Sequence, residues 1–323
     1  MLNERNVVVF DNAGIPSIMV RFDKCTNAEL FKGGSNETHP AFIIDGEEVD
    51  EIYIAKYPCT MINGKPYSLP YVKPATEIDL DTAAGACFSK GEGWHLLTAP
   101  EYALAALESV KGNTLPRGNT NCGKSHSHPE EKGECYDGYR TLTGSGPSTW
   151  AHDHTPFGVY DINGNIWEML AGLRLMGGNV QVIENNNAAN PIDVSKTSQL
   201  WKNVLVEGKP VQFITENGVI KLTSGKEDCE GWDGCFWKNL KSDITPTELM
   251  KALALYPEDK ESMESYLYVD GEGERLPIRG GSWSSGASAG VFALGLFDPR
   301  SYVAASIGFR SAFYRKTDNR TTD

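Results

Sequence analysis

Short apolar runs separated by turn-forming clusters dominate the start of the chain. Val7-Val8-Val9-Phe10 and Ser17-Ile18-Met19-Val20 flank Asp11-Asn12-Ala13-Gly14, which predicts a small β-hairpin. Lys32-Gly33-Gly34-Ser35-Asn36 reads as a linker, so residues 1–40 are expected to form an N-terminal hairpin and attachment segment, with the main domain at 41–323. Phe42-Ile43-Ile44 and Ile52-Tyr53-Ile54-Ala55 are apolar and β-branched. The acidic turn between them suggests that they pair.

The pattern then turns helical. Ala83, Ala84, Ala86 and Cys87 share one side of a helix that Gly91 can stop. Thr98-Ala99-Pro100-Glu101 opens a second, because a hydroxyl and a carboxylate three residues apart can cap each other's backbone N–H groups, with Pro tolerated in the first turn. Residues 112–155 show no sustained period and are rich in Gly, Pro, Ser, Asn and His, which predicts loop. Further on, Asn217-Gly218 between two alternating runs predicts a hairpin, and Thr245-Pro246-Thr247-Glu248 a third, capped helix. Residues 183–274, which hold both, read as an insertion before the C-terminal strands. The fold class expected is α+β, mostly β and loop, with two early helices.

Composition narrows the function. The 323 residues are 40% hydrophobic and 23% charged, enough to bury an ordinary core. A formal net charge of −13, with no basic stripe, would repel nucleic acid. No apolar stretch is long enough to insert in a membrane, and the N-terminus lacks the apolar region of a signal peptide. Seven cysteines, an odd number in a chain this large, do not imply a disulfide framework, although Cys122/Cys135 and Cys229/Cys235 could each close a local loop. Reduced thiols are expected.

Four blocks carry a resemblance. They are Gly93-Trp94-His95-Leu96-Leu97-Thr98 running on to Glu101, Phe157-Gly158-Val159-Tyr160-Asp161-Ile162-Asn163-Gly164-Asn165-Ile166-Trp167-Glu168, Arg279-Gly280-Gly281-Ser282-Trp283, and Ile307-Gly308-Phe309-Arg310. In this order the set resembles the formylglycine-generating (sulfatase-modifying) enzyme family, which implies a C-type-lectin-like domain. Physically, Gly280 and Gly281 allow close backbone approach, Trp167 and Trp283 are large anchors, and Arg310 can pair with Glu168 inside the frame. These five, Trp167, Gly280, Gly281, Trp283 and Arg310, are read as scaffold. That family's chemistry uses a cysteine directly after the Gly-Phe-Arg block, where this chain has Ser311, and no cysteine follows Cys235. Its catalysis does not carry over.

Residues 279–313 are more similar to the variable proteins of diversity-generating retroelements, which share this fold. Between the fixed Trp, Gly, Phe, Leu and Arg positions stand Ser282, Ser284, Ser285, Ser288, Gly295, Phe297, Asp298, Tyr302, Ala304, Ala305 and Ser306. Such systems randomise template adenines, so an asparagine codon can become any codon ending in a pyrimidine, which excludes Trp, Met, Lys, Glu and Gln. All eleven positions obey that rule. The resemblance implies a non-catalytic protein whose variable surface binds a protein or glycan receptor on a cell surface, carried on a virion (phage tail) or a bacterial cell surface. Tyr302 and Phe297 are the expected anchors, Ser and Gly the adaptable surroundings, and Asp298 an acceptor for a polar ligand. A formylglycine-generating-enzyme-like oxidase and an invariant structural virion protein are the rival readings.

No cofactor is expected. His126/His128 and His152/His154 have strand-like spacing for metal binding, but they lie in loop and no third ligand is fixed, so no metal is assigned. In the enzyme family the positions of Asn165 and the Ile166 carbonyl help bind calcium. Two oxygen ligands are too few to establish a site here.

Overall fold

The valine-rich strand β1 (Asn6–Phe10) pairs antiparallel with β2 (Pro16–Asp23). Asp11 makes the turn between them, its Oδ1 accepting from the N–H groups of Ala13 and Ile15, each at 2.9 Å. A computed structural model describes residues 5–226, 231–261 and 263–316, so the expected Cys229/Cys235 loop lies partly outside the described residues.

The hairpin is not a separate segment. β2 pairs with Glu51–Ala55, and the sheet continues through Ser311–Tyr314 to Trp94–Leu96, making five strands with β1 at one edge. Alternation along these strands sends Val20, Ile52, Ile54 and Ala312 into one core cluster and Met19, Tyr53 and Ala55 into another. Helix Ala99–Lys111 packs in the first cluster and helix Leu80–Phe88 in the second. Both faces of the small sheet are therefore covered over its central strands.

Local signals explain the helices. The Thr98 hydroxyl accepts from Glu101 N–H while the Glu101 carboxylate accepts from Thr98 N–H at 3.0 Å. Fully buried Glu101 also takes hydrogen bonds from His95 at 2.8 Å and Asn186 at 2.9 Å, which ties the cap into the core. Asp79 caps the other helix through Thr82 N–H. The third helix is only Glu248–Ala252 and starts two residues later than expected, because Thr247 rather than Thr245 is its N-cap. Glu248 does not close a capping box. Its carboxylate goes to Ser35 N–H at 2.7 Å and Asn27 Nδ2 at 2.9 Å, fastening the residue 32–36 stretch to the body.

Ile43–Ile44 does not pair with Glu51–Ala55, contrary to expectation. Asp45 (φ 54°) and Gly46 (φ 80°) form a turn tight enough for Ile43–Ile44 to fold back on Glu47–Glu48. The Asn-Gly signal was sufficient, with Lys209–Glu216 pairing Val219–Ser224 around Asn217 (φ 51°) and Gly218 (φ 72°).

The remaining strands form a large mixed sheet. Its order runs from Trp232–Phe236 through Tyr266–Asp270, Gly290–Asp298, Glu274–Gly280, Leu173–Met176 and Asn179–Ile183 to the Asn-Gly hairpin, so strands of the 183–274 stretch extend it at both ends. Trp167–Met169 joins it by pairing with Glu274–Gly280 and Ile307–Gly308. The result is a β-dominant α+β fold, and among the described residues no helix is long and apolar enough to cross a membrane.

Candidate functional site

The C-terminal segment leaves the large sheet at two glycines in the left-handed region, Gly280 (φ 92°) and Gly281 (φ 88°). A Cβ on Gly280 would lie 2.7 Å from the Ile162 carbonyl oxygen, and one on Gly281 would lie 2.6 Å from Ala289 Cβ. Only glycine permits this fold-back. The loop it makes is mounted on backbone hydrogen bonds: Trp283 N–H donates to Asn165 O (3.1 Å), Cys122 N–H to Trp283 O (2.8 Å), and Gly286 N–H to Thr120 O (2.9 Å). Ser284 stands exposed on it and Ser285 and Ser288 half-exposed.

From Gly290 to Asp298 the chain is a strand through the core, after which it returns to the surface. Tyr302 and Val303 are each 45% exposed, and Ala304, Ala305 and Ser306 are half-buried. Arg140 joins the two surface stretches. Its guanidinium lies 5.4 Å from the Trp283 ring centroid and 5.2 Å from that of Tyr136, and it donates to the Ala305 carbonyl at 2.9 Å. Asp137 fixes it from behind at 2.7 Å.

Three of the eleven expected surface positions are not on this rim. Ser282 is buried, its N–H bonded to Ser285 Oγ. Gly295 lies beneath Ile278 and Phe297, where a Cβ would come within 2.7 Å of the Ile278 side chain. Asp298 is also buried, one carboxylate oxygen having no partner among the described residues, and burial pushes its pKa up to about 6 despite the nearby charge of Arg275. Phe297 is intermediate: it is half-buried against Tyr268, with centroids 5.6 Å apart.

The cost of Asp298 is testable. An acid whose pKa is raised on folding binds extra protons in the folded state between about pH 4 and 6, so its contribution to stability falls as pH rises through that window. Asp298→Asn is therefore expected to gain about 1–2 kcal/mol at pH 7.5, and less at pH 4.5, in urea unfolding.

The scaffold positions are held from inside. Trp167 and Arg310 are buried, and Arg310 is fully enclosed. Burial works against the Arg310 charge, but Glu168, paired through both carboxylate oxygens, raises its pKa above the ordinary value. Trp283, half-exposed, is both frame and rim.

The residues considered for metal are occupied by protein. Asn165 (φ 61°) accepts through Oδ1 from Thr141 N–H (2.9 Å) and Asn119 Nδ2 (3.1 Å) and donates to Thr141 O (3.0 Å). It pins the 119–141 loop under the rim. His126 contacts the Thr120 hydroxyl, His128 that of Ser127, His152 contacts Glu108 and Val159 N–H, and His154 the Leu115 carbonyl. Among the described residues no group of three His, Cys, Asp or Glu side chains is placed to hold a metal ion.

Sequence reasoning missed the supporting loop. Arg140, Tyr136 and exposed Tyr139 lie in a stretch with no periodicity, and only the structure shows that this loop carries the rim. It also missed a cavity of about 300 Å³ beside the Ser288 turn, with Arg117, His126, Asn163, Ser265 and Gly290 in its wall.

No protein-family model matches the chain, and no curated protein matches it in sequence. Solved structures do resemble it. Treponema denticola variable protein 1 matches at 12% identity and TM-score 0.37, over 96% of this chain and 99% of that one. PvdO from Pseudomonas aeruginosa matches at 14% and 0.39, over 96% and 99%. The U1 variant of the Major Tropism Determinant matches at 11% and 0.34, over 95% and 71%. These are likenesses of chain path, and no residue of this chain takes its role from them.

Proposed function

We propose that this chain is a non-catalytic binding protein of the C-type-lectin-like type, diversified at the rim formed by Ser284, Ser285, Ser288, Tyr302, Ala304, Ala305 and Ser306. One observation carries the reading: frame residues Gly280, Gly281 and Arg310 are buried, while most residues between them reach the surface on two stretches joined by Arg140. A rigid frame under a substitutable surface lets contact chemistry change at little cost in stability. Ser282, Gly295 and Asp298 are left out of the face because they are buried, and Phe297 because its ring packs on Tyr268. The partner proposed is a receptor, protein or glycan, on a cell surface, and the protein's place is a phage tail or a bacterial surface.

Where the resembled enzymes carry a reactive cysteine, Ser311 stands fully buried, its Oγ 3.5 Å from the Cys59 sulfur. Burial pushes the Cys59 thiol up, opposite to what a reactive thiolate needs.

The deciding experiment is sequencing of the gene and its flanks. A nearby reverse transcriptase and a near-copy of the segment coding for 279–313, differing only at adenines, would establish the reading. An ordinary gene without that copy would overturn it. On the protein, Ser284→Tyr and Tyr302→Ala are each expected to shift stability by less than about 0.5 kcal/mol. Phe297→Ala is expected to cost about 2–3 kcal/mol, because its ring covers Gly295 and packs on Tyr268. Urea unfolding of the three single variants checks this order.

A further inference from the structure

The cavity beside the Ser288 turn is built from residues that the rim does not use. Its volume of about 300 Å³ is at the lower end for small-molecule sites, and Arg117, His126, Asn163 and Ser265 stand in its wall. From the 279–313 segment it takes Ala287, Ala289, Gly290 and Val291, none of them among the eleven intervening positions. A constant cavity thus adjoins a variable surface.

Two buried polar side chains in that wall lack a protein partner. Ser265 is 4% exposed, and among the described residues nothing bonds its hydroxyl. A Cβ on Gly290 would lie 2.1 Å from that Oγ, so glycine keeps the space beside it open. Asn163 is 9% exposed. Its Nδ2 donates to Pro116 O at 2.6 Å, while its Oδ1 has no donor among the described residues. Leaving such atoms unpaired is costly, and a cavity next to them is where a ligand can supply the missing bonds.

Donors and an apolar side complete the wall. The Thr120 hydroxyl accepts from His126 N–H at 3.0 Å and lies 2.9 Å from His126 Nδ1, so it donates to that nitrogen and the neutral ring carries its proton on Nε2. Arg117 is committed to Glu131 through one nitrogen, which balances its charge, and its other N–H groups meet no acceptor among the described residues. Met263, Ala289 and Val291, all buried, supply the apolar side.

We infer that this cavity binds an uncharged sugar ring, one residue of a glycan. A sugar hydroxyl both donates and accepts, which matches a wall that sets Ser265 Oγ and Asn163 Oδ1 beside the N–H groups of His126 and Arg117. The apolar side takes the C–H face of the ring. An anion fits worse, because Glu131 already neutralises Arg117, Glu264 adds a carboxylate to the wall, and the chain carries a net charge of −13. The inference does not rest on the diversified rim. Where both hold, the cavity supplies the constant contact with the sugar and the rim the selectivity around it.

The test titrates the full chain, isotope-labelled for NMR, with the methyl glycosides of glucose, galactose, mannose and N-acetylglucosamine into the tens of millimolar. At least one should bind saturably and shift the amide resonances of Gly118, Thr120, Ser265 and Gly290. Ser265→Ala removes no hydrogen bond to the described residues, and Ala287→Trp sets a bulky ring at an exposed part of the wall. Each should weaken that binding by about tenfold or more, with an unchanged unfolding midpoint. Val219→Lys, exposed on another hairpin, should bind like the parent. Absence of binding by all four glycosides overturns the inference and leaves the rim to its own test by gene sequencing. Binding that either cavity variant leaves intact also overturns it, as does a preference for methyl glucuronide over methyl glucoside, which marks an anion site.

Discussion

Replacing Arg310 with leucine is expected to cost about 3–5 kcal/mol, which is much of the 5–15 kcal/mol that holds a typical domain folded. The guanidinium is fully enclosed. It meets Glu168 through two nitrogens, one of them at 2.6 Å, and donates to the Ala55 carbonyl at 2.8 Å and the Tyr160 carbonyl at 3.0 Å. Removing it strands a buried carboxylate and leaves two carbonyls without their donor, in the middle of the junction between the two sheets. The double replacement Arg310→Leu with Glu168→Leu should regain part of the loss, since no charge is then left unpaired. It should not regain all of it, because the Ala55 and Tyr160 carbonyls remain short of a partner. Urea unfolding of the two variants and the parent checks both statements, and equal losses in single and double variants would refute them.

The second large effect is one of pH. Lys90 is fully buried, its amine lying over the Trp94 ring at 3.4 Å and donating to Ser17 Oγ at 2.8 Å, and among the described residues no carboxylate forms an ion pair with it. Burial lowers its pKa to about 8, against the opposing pull of Cys59, Cys87 and Asp11. The unfolded chain therefore binds more protons at this amine between pH 8 and the ordinary lysine value of 10.5, and the stability it contributes rises with pH across that window. Other groups titrate there too, including buried thiols whose effect has the opposite sign, so the difference between parent and Lys90→Met isolates the lysine. That difference should move in the parent's favour by about 3 kcal/mol between pH 7 and 10.5. A pH-independent difference in chemical unfolding would show that the amine is solvated.

The features legible in the sequence were those whose cause is local. The Thr98–Glu101 cap, the Asn217-Gly218 turn and the Asp11-to-Gly14 turn are each set by residues within one turn of one another. The Glu168–Arg310 pair was readable because both sit in recognisable blocks. Partner choice was less visible. Ile43-Ile44 is as apolar as a strand of the main sheet, but the Asp45-Gly46 turn decides where it goes. Likewise, nothing local says that Glu248 should reach across to Ser35 rather than cap its own helix. At the rim, the sequence separated frame from intervening positions but not inward from outward ones. Gly295 and Asp298 belong to a strand buried on both faces, where alternation no longer marks solvent. Arg140 was invisible for a related reason: its partners, the Trp283 ring and the Ala305 carbonyl, are set by the path of an irregular loop.

The place of Ser311–Tyr314 between Glu51–Ala55 and Trp94–Leu96 bears on how the protein is made. On the ribosome, the segments that will flank this strand emerge long before it does, and until it arrives they have no common neighbour. The five-stranded sheet therefore closes only after residues 279–306 have been translated. A substitution between residues 279 and 306 that slowed folding there would hold open a gap flanked by bare strand edges until Ser311–Tyr314 could dock.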